Sequence, residues 1–193
     1  MMTGLRAVVA IVAAVPFGIA YADADAAGGP VPTTLCELVQ QPGSFNGKMV
    51  SVRGLVEIAF EDFELRGEDC DGRKLDGVWL EYGKGPKKQP TTWCCGDLTP
   101  RDEPALRKNA DFRAFHRYLV AQKRTKGCYE GECLLYSVTV TLTGRFEAVK
   151  TEPCAGDRAS HCCPGGGFGH LGFFCGRLVI QSVSDVVAKP VAR

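Results

Sequence analysis

Ten cysteines, all of them C-terminal to a short apolar segment at the start of the chain, constrain this sequence more than any other feature. The segment, residues 7–20, follows the single charge of Arg6 and precedes small residues at Ala20 and Ala22, which is the three-part pattern of a secretory signal. It is shorter than the roughly 20 apolar residues of a membrane-spanning helix. We therefore predict a signal peptide over residues 1–22 and no membrane span after its cleavage, with a membrane anchor or a buried helix as the alternative.

An even number of cysteines in an exported chain indicates a disulfide framework, because thiols do not stay reduced outside the cytosol without help. Adjacent cysteines rarely bond to each other, since the bridge would distort the peptide between them. Each member of the two adjacent pairs is therefore expected to bond elsewhere, and the connectivity stays open. The framework predicts a periplasmic or secreted protein, and its candidate cysteines are Cys36, Cys70, Cys94, Cys95, Cys128, Cys133, Cys154, Cys162, Cys163 and Cys175.

The charge balance is nearly neutral, with 23 Lys and Arg residues against 22 Asp and Glu residues. Proteins that bind nucleic acid usually carry a basic excess, which is missing here. Two short basic groups, at residues 84–88 and 123–126, are typical of solvated loops or helix ends. Nothing in the sequence indicates a nucleic-acid partner. The partner is unknown, and a cell-envelope saccharide or protein is the candidate class.

Residues 23–32 are rich in Ala, Gly and Pro and have nothing to bury, so we predict a disordered leader there. A single domain is expected over residues 33–190. Thr34 and Glu37 have the spacing of a capping box, which predicts a short helix ending near Gln41. A second helix is predicted from Ala105 or Ala110 to Lys123, because apolar residues recur there at helical spacing at Phe112, Phe115, Tyr118 and Leu119.

Alternating apolar and polar residues predict strands over residues 49–58, 60–65, 78–82, 136–149 and 178–187. Gly54 and Gly144 lie within the two strongest of these patterns, where glycine usually marks a bulge or a sharp bend. The predicted fold is mainly β with one or two helices. It is a small OB-like barrel of about five strands with disulfide-stapled loops and a helical insertion around residues 105–123, and a β-sandwich is the alternative.

Several short segments resemble exported bacterial proteins of unassigned function with an OB-like β-barrel domain. They are residues 35–54, Cys70 and residues 78–81 in the first half, and residues 138–146, 167–172 and 178–180 in the second. The resemblance implies an exported OB-like domain and a Cys36–Cys70 bridge, and it implies no activity. The other eight cysteines are additional to that pattern.

Residues 167–172 match the Gly-x-Gly-x-x-Gly fingerprint of dinucleotide sites, which requires a strand before it and a helix starting within it. Here a strand is predicted to follow, so we do not expect nucleotide binding. The nearby His161, Cys162, Cys163, His170 and Cys175 form the main His/Cys cluster. Because no Cys-x-x-Cys spacing occurs and bridges are a better use of the thiols, we assign no metal and no cofactor.

No catalytic residue is assigned either. The acids between Cys128 and Cys133 would raise a thiol pKa rather than lower it, so this pair is expected to staple a turn. Glu61, Asp62 and Glu64 could act as paired carboxylates, but alternating acids on a solvent-facing strand explain them better. An enzyme is therefore the less favoured class.

The sequence thus predicts an exported, disulfide-rich binding or structural module of the cell envelope, with an unknown ligand. A metal- or thiol-dependent enzyme using the His161–Cys175 loop is the alternative. Aromatic and imidazole side chains in loops are the candidate ligand contacts, although each could equally pack beneath a cysteine-rich loop or hydrogen-bond the backbone. These candidates are Trp93, Tyr129, Phe168, His170 and Phe173.

Overall fold

The computed structural model describes residues 29–58, 63–67, 77–84, 103–123, 135–149, 152–153, 161–162, 166–169 and 172–191. Residues 121–123, 152–153 and 161–162 are described by their backbone alone. The predicted signal peptide and its cleavage site lie outside these ranges. None of the helices within them has the length and apolar character needed to cross a membrane.

The described part of the chain forms three helices and eight strands. In chain order they are β1 (Val31–Thr33), α1 (Leu35–Gln40), α2 (Pro42–Phe45), β2 (Met49–Ile58), β3 (Phe63–Arg66), β4 (Val78–Tyr82), α3 (Ala110–Lys123), β5 (Tyr136–Ala148), β6 (Glu152–Pro153), β7 (His161–Cys162) and β8 (Gly176–Pro190). This content confirms the prediction of a mainly β protein.

The capping box predicted at the start of α1 is present. The Thr34 hydroxyl accepts a hydrogen bond from the Glu37 amide at 3.2 Å, and the Glu37 carboxylate accepts one from the Thr34 amide at 2.8 Å. The strand before the helix was not predicted. Val31 and Pro32 pair in parallel with Val50 and Ser51 of β2, so the expected disorder does not extend to these two residues. Backbone pairing orders them, although they bury little.

Five strands are paired in the order β2–β3–β4–β8–β5, and β5 pairs again with β2. The β4–β8 pair is parallel, and the other four pairs are antiparallel. The β1 strand pairs in parallel with residues 50–52 of β2. Helix α3 connects β4 to β5 and packs mainly against β8 and β5, which is where a helical insertion was predicted.

The core lies between these strands and the helices. The inward side chains predicted for β5 are fully buried, and so are Phe112, Phe115 and Leu119 of the predicted stripe on α3, while Tyr118 is half-buried. The main core residues are Leu35, Leu38, Val50, Val52, Val56, Phe63, Leu65, Val78, Leu80, Val138, Val140, Leu142, Phe146, Leu178, Ile180 and Val183.

The two strand glycines mark close approaches of backbone. A Cβ at Gly54 would lie 2.8 Å from the Arg66 carbonyl oxygen, at the point where β2 stops pairing with β1 and begins to pair with β3. A Cβ at Gly144 would overlap the Val179 carbonyl, beside a register shift in the β5–β8 pair. Both sites therefore need glycine, and the bulge predicted near Gly144 is confirmed.

The last strand is longer than predicted, since it covers residues 176–190 rather than 178–187. Its alternation is interrupted at Asp185, which has a φ of 52° beside a second register shift. An extra residue in one strand reverses the in–out pattern that sequence reading relies on. Pairing with β5 nevertheless continues to Tyr136 and Pro190.

Candidate functional site

A hairpin formed by residues 166–169 and 172–174, here called the glycine hairpin, precedes β8. Phe168 and Phe174 exchange two backbone hydrogen bonds of 2.7 and 3.1 Å, and the Gly167 amide donates to the Gly172 carbonyl at 3.0 Å. The three glycines of the Gly-x-Gly-x-x-Gly segment thus lie in a hairpin that a strand follows, which is not the setting of a dinucleotide site.

The glycine hairpin packs on Trp79, a residue of β4 that is only 1% exposed. Val78 and Leu80 point into the core, so Trp79 lies on the outer face of the same strand. The Phe174 ring centroid is 5.3 Å from the indole, and a Cβ at Gly169 would overlap the indole. Gly169 also has a φ of 72°, which favours glycine. The hairpin can approach Trp79 this closely only because position 169 has no side chain.

Beside Trp79 lies a group of four charged residues, here called the covered ion network: Glu81, Arg145, Glu147 and Arg177. The Arg177 guanidinium donates to Glu81 Oε2 at 3.0 Å and to Glu147 Oε2 at 2.6 and 2.7 Å. Arg145 binds the other oxygen, Glu147 Oε1, at 2.7 and 2.9 Å. Arg177 and Glu81 are only 6% and 7% exposed. The network therefore joins β4, β8 and β5 across their outer face.

Strand register explains this grouping. Trp79 is paired with Arg177, and Arg177 with Glu147, so one row of outward side chains crosses three strands. The next outward row contains Glu81, Val179 and Arg145. The Phe168 ring of the glycine hairpin stacks on Arg177, with the guanidinium carbon 4.9 Å from the ring centroid. The hairpin thus covers both the indole and the ion network.

The two carboxylates of the network respond differently to this environment. Burial raises the pKa of Glu81 above its ordinary value, and the attraction of Arg177 offsets this only in part. Burial acts in the same direction on Glu147, but hydrogen bonds and charges from Arg177 and Arg145 outweigh it and lower the pKa of Glu147. Glu147, with two guanidinium partners, is the anchor of the network.

The prediction of solvent-facing acids in the second strand is wrong for Glu64. This side chain is buried, at 3% exposed, and its Oε1 accepts hydrogen bonds from Arg66 at 2.7 and 2.8 Å. It lies over Gly77, where a Cβ would be 2.6 Å from Oε2. The missing side chain at residue 77 gives the carboxylate room beneath the surface. Glu61 and Asp62 lie outside the described residues.

An apolar groove lies between helices α1 and α2 and the start of β8. Phe173, on the glycine hairpin, stands at its rim and is 65% exposed. The groove, called the Phe173 groove below, is lined by Leu38, Val39, Pro42, Gly77, Val78, Phe146, Phe173, Cys175 and Gly176.

The five predicted ligand contacts have different outcomes. Phe168 is half-buried against Arg177, so it packs within the protein rather than facing solvent. Phe173 is exposed, as a contact residue needs to be. Trp93, Tyr129 and His170 lie outside the described residues.

Of the ten candidate cysteines, Cys36 and Cys175 have described side chains, and both are disulfide-bonded. Cys162 is described by its backbone in β7, and the other seven lie outside the described residues. The connectivity, including the Cys36–Cys70 bridge, stays a prediction. Within the described ranges, no group of His, Cys, Asp and Glu residues could hold a metal ion, whereas Cys163 and His170 of the predicted cluster lie beyond them.

Sequence reasoning missed Trp79 and the covered ion network. Alternation along β4 does place Trp79 and Glu81 on one face, and an acid in such a strand needs a cationic partner if it is buried. Arg177 could be identified as that partner only from the pairing of β4 with β8, which is a tertiary feature.

No protein-family model matches this chain, and no curated protein or solved structure matches it either.

Proposed function

We propose that this protein is an exported, disulfide-bonded binding module of the cell envelope, built on an OB-like barrel, and that it binds an apolar patch of a partner protein against Phe173 and the shallow groove beside it. One observation carries this proposal: Phe173, on a hairpin that packs on Trp79, has an exposed ring at the rim of the groove.

Three features of the pairing support the barrel. The order β2–β3–β4–β8–β5 with a return to β2 leaves none of these five strands with a single neighbour. The β4–β8 pair is parallel among antiparallel pairs, and a helix precedes β5. Inward residues from all five strands belong to one core. A sandwich would instead place two separately paired sheets face to face.

Export and oxidation are supported by the leader pattern and by the bonded state of Cys36 and Cys175, since lasting disulfides are typical of oxidising compartments. Cys175 also lines the groove and follows the glycine hairpin directly. A bridge at this position holds the end of the hairpin, which limits the freedom that Phe173 would lose on binding.

A purely structural role is the rival. It does not explain why a large ring is left in solvent beside a groove lined by Leu38, Val39 and Pro42. Exposed aromatic side chains beside apolar pockets are typical of protein–protein contact sites.

Photo-cross-linking in exporting cells tests the proposal. A benzophenone amino acid replaces Phe173 in one strain and Val187 in the control strain, because Val187 is also apolar and exposed, at 42%, but lies near the far end of β8. We expect a discrete cross-linked protein from position 173 alone. Without any cross-linker, the same protein should co-purify with the affinity-tagged parent chain but not with Phe173→Ala, at an unchanged melting temperature. Equal products from both positions, or none from either, would contradict the proposal.

A further inference from the structure

The covered ion network is largely buried, and buried ion pairs contribute little net stability. Arg177 and Glu81 are almost completely removed from solvent. Ion pairs in such places gain little over well-packed apolar side chains, because both groups lose their hydration. Their position beneath a hairpin, beside an indole, calls for a role in addition to packing.

The hairpin that covers them is attached by rings. Within the described residues, the backbone hydrogen bonds of residues 166–169 and 172–174 close on the hairpin itself. Among the described residues, its contacts with the face below include those of Phe174 and Gly169 with Trp79, and that of Phe168 with Arg177. None of these contacts is a backbone pairing between the hairpin and β4, so breaking them would leave the β4–β8 pairing intact.

We propose that the face beneath the glycine hairpin, formed by Trp79, Glu81, Glu147 and Arg177, is a second binding site that takes a saccharide, and that Phe168 and Phe174 occupy it when no saccharide is bound. The hairpin then covers the site, and a sugar ring of the ligand takes the place of the Phe168 and Phe174 rings when it binds.

The chemistry of the face selects the ligand class. The indole offers a flat apolar surface, which suits the C–H face of a pyranose in the way that it now suits the Phe174 ring. Glu81, Glu147 and Arg177 offer planar arrays of acceptors and donors at the edge of that surface, which suit sugar hydroxyls. The network contains two acids and two guanidinium groups, so it carries no excess charge for an anionic polymer. A neutral saccharide fits best.

The cover also weakens saccharide binding. A saccharide must displace the contacts of Phe168 with Arg177 and of Phe174 with Trp79, so its measured affinity is lower than its affinity for the open face. Weakening the cover should therefore tighten saccharide binding, which is the opposite of what removing true ligand contacts would do. The direction of the change in saccharide affinity therefore distinguishes a displaceable cover from a hairpin with a structural role alone.

The test uses the exported full chain with Trp93→Phe, which leaves Trp79 as the only tryptophan of the two in the sequence. The probe is the β-1,4-linked tetramer of N-acetylglucosamine, and the readouts are calorimetry and the Trp79 indole N–H signal in NMR. Phe168→Ala combined with Phe174→Ala weakens the cover. Arg53→Ala, on an exposed residue that hydrogen-bonds Thr141 outside the covered face, is the control.

We expect the cover-weakened variant to bind the tetramer about tenfold more tightly than the parent, with the control unchanged. A folded cover-weakened variant whose affinity is unchanged or weaker would overturn the proposal. If that variant does not fold, the Trp79 signal of the parent protein is the test instead. Movement of the Trp79 signal with millimolar tetramer supports the site, and an unmoved signal rejects it. Phe173 lies on the same hairpin, but its partner is detected by cross-linking and the saccharide by the Trp79 signal, so failure of one proposal is distinguishable from failure of the other.

Discussion

The outer surfaces of β5 and β8 divide into two halves that share the same strand alternation but have different surroundings. In one half, Thr139, Thr141 and Thr143 lie beside Ser182 and Ser184 and remain partly exposed. In the other half, Arg145 and Glu147 lie beside Arg177 beneath the glycine hairpin. The comparison teaches that alternation decides which way a side chain faces, while a distant loop decides whether that face meets water.

The largest expected difference between the halves concerns their arginines. Arg177→Met leaves Glu81 and Glu147 without their shared guanidinium and should lower the free energy of unfolding by about 3–5 kcal/mol, the usual cost of breaking a buried ion pair. Arg53→Ala, on β2 where its side chain bonds Thr141 and the Asp185 carbonyl of the open half, should cost no more than about 1 kcal/mol, because exposed polar contacts contribute little. Urea unfolding of both variants measures this, and equal losses would remove the distinction between the halves.

Two glycines of the hairpin sharpen the comparison. Gly166 and Gly169 both have positive φ, but a Cβ meets nothing within 4 Å at Gly166 and overlaps the Trp79 indole at Gly169. Both alanine variants should be destabilised by the strain of a positive φ. Gly169→Ala should lower the free energy of unfolding by about 1–3 kcal/mol more, because its Cβ overpacks the contact with Trp79, and denaturant unfolding measures this. Equal losses in the two variants would mean that the hairpin does not press on Trp79.

The pH dependence should separate the two carboxylates of the covered half. The folded-state pKa of Glu147 lies below its ordinary value of 4.5, so its contribution to stability is present above that pH and is lost as the pH falls through the lowered pKa. The pKa of Glu81 is raised, so its contribution is present below 4.5 and is lost as the pH rises through the raised pKa.

At neutral pH, Glu147→Gln should therefore destabilise the protein more than Glu81→Gln does. The difference should shrink at an acidic pH below the lowered pKa of Glu147, because the wild-type Glu147 carboxylate is then protonated as well. Unfolding curves of both variants at the two pH values check this. A larger loss for Glu81→Gln at neutral pH would show that the wrong acid has been identified as the anchor.

The smallest effect is expected on the outside of the hairpin. Phe173→Ala should change the free energy of unfolding by no more than about 0.5 kcal/mol, because its ring is mostly in solvent. Phe174→Ala, at the neighbouring position, should cost several times more, since that ring is buried against Trp79. Thermal unfolding of the pair measures this, and a large loss for Phe173→Ala would assign its ring to packing.

Much of the fold follows from local pattern. The limits of β2 and β4, the capping box at Thr34 and the buried stripe of α3 were predictable, because each rests on the spacing of neighbouring residues. The end of β8 was not, since a bulge at Asp185 disturbs its alternation. The order of β1 was not either, because Val31 and Pro32 depend on a partner strand rather than on their own burial.

The candidate site was less predictable than the fold. Phe173 was identified as a loop aromatic, whereas Phe168, identified on the same grounds, stacks on Arg177 instead. Composition does not distinguish these two rings, because their difference arises from the close contact of Gly169 with Trp79. Glu64 was predicted to face solvent, whereas it is buried over Gly77 and bound to Arg66 of its own strand. Arg177, the partner of Glu81, lies on a neighbouring strand at a position that only the strand register defines.

Native-state hydrogen exchange tests most directly the central claim that the glycine hairpin is a cover attached by side chains to a separately stable set of strands. The amides of Phe168 and Phe174, which bond only within the hairpin, are compared with the amides of β5, which is paired on both edges. The account predicts that the hairpin amides exchange through a local opening with a smaller free energy and little denaturant dependence. Exchange of both groups with the same free energy and the same denaturant dependence would contradict it.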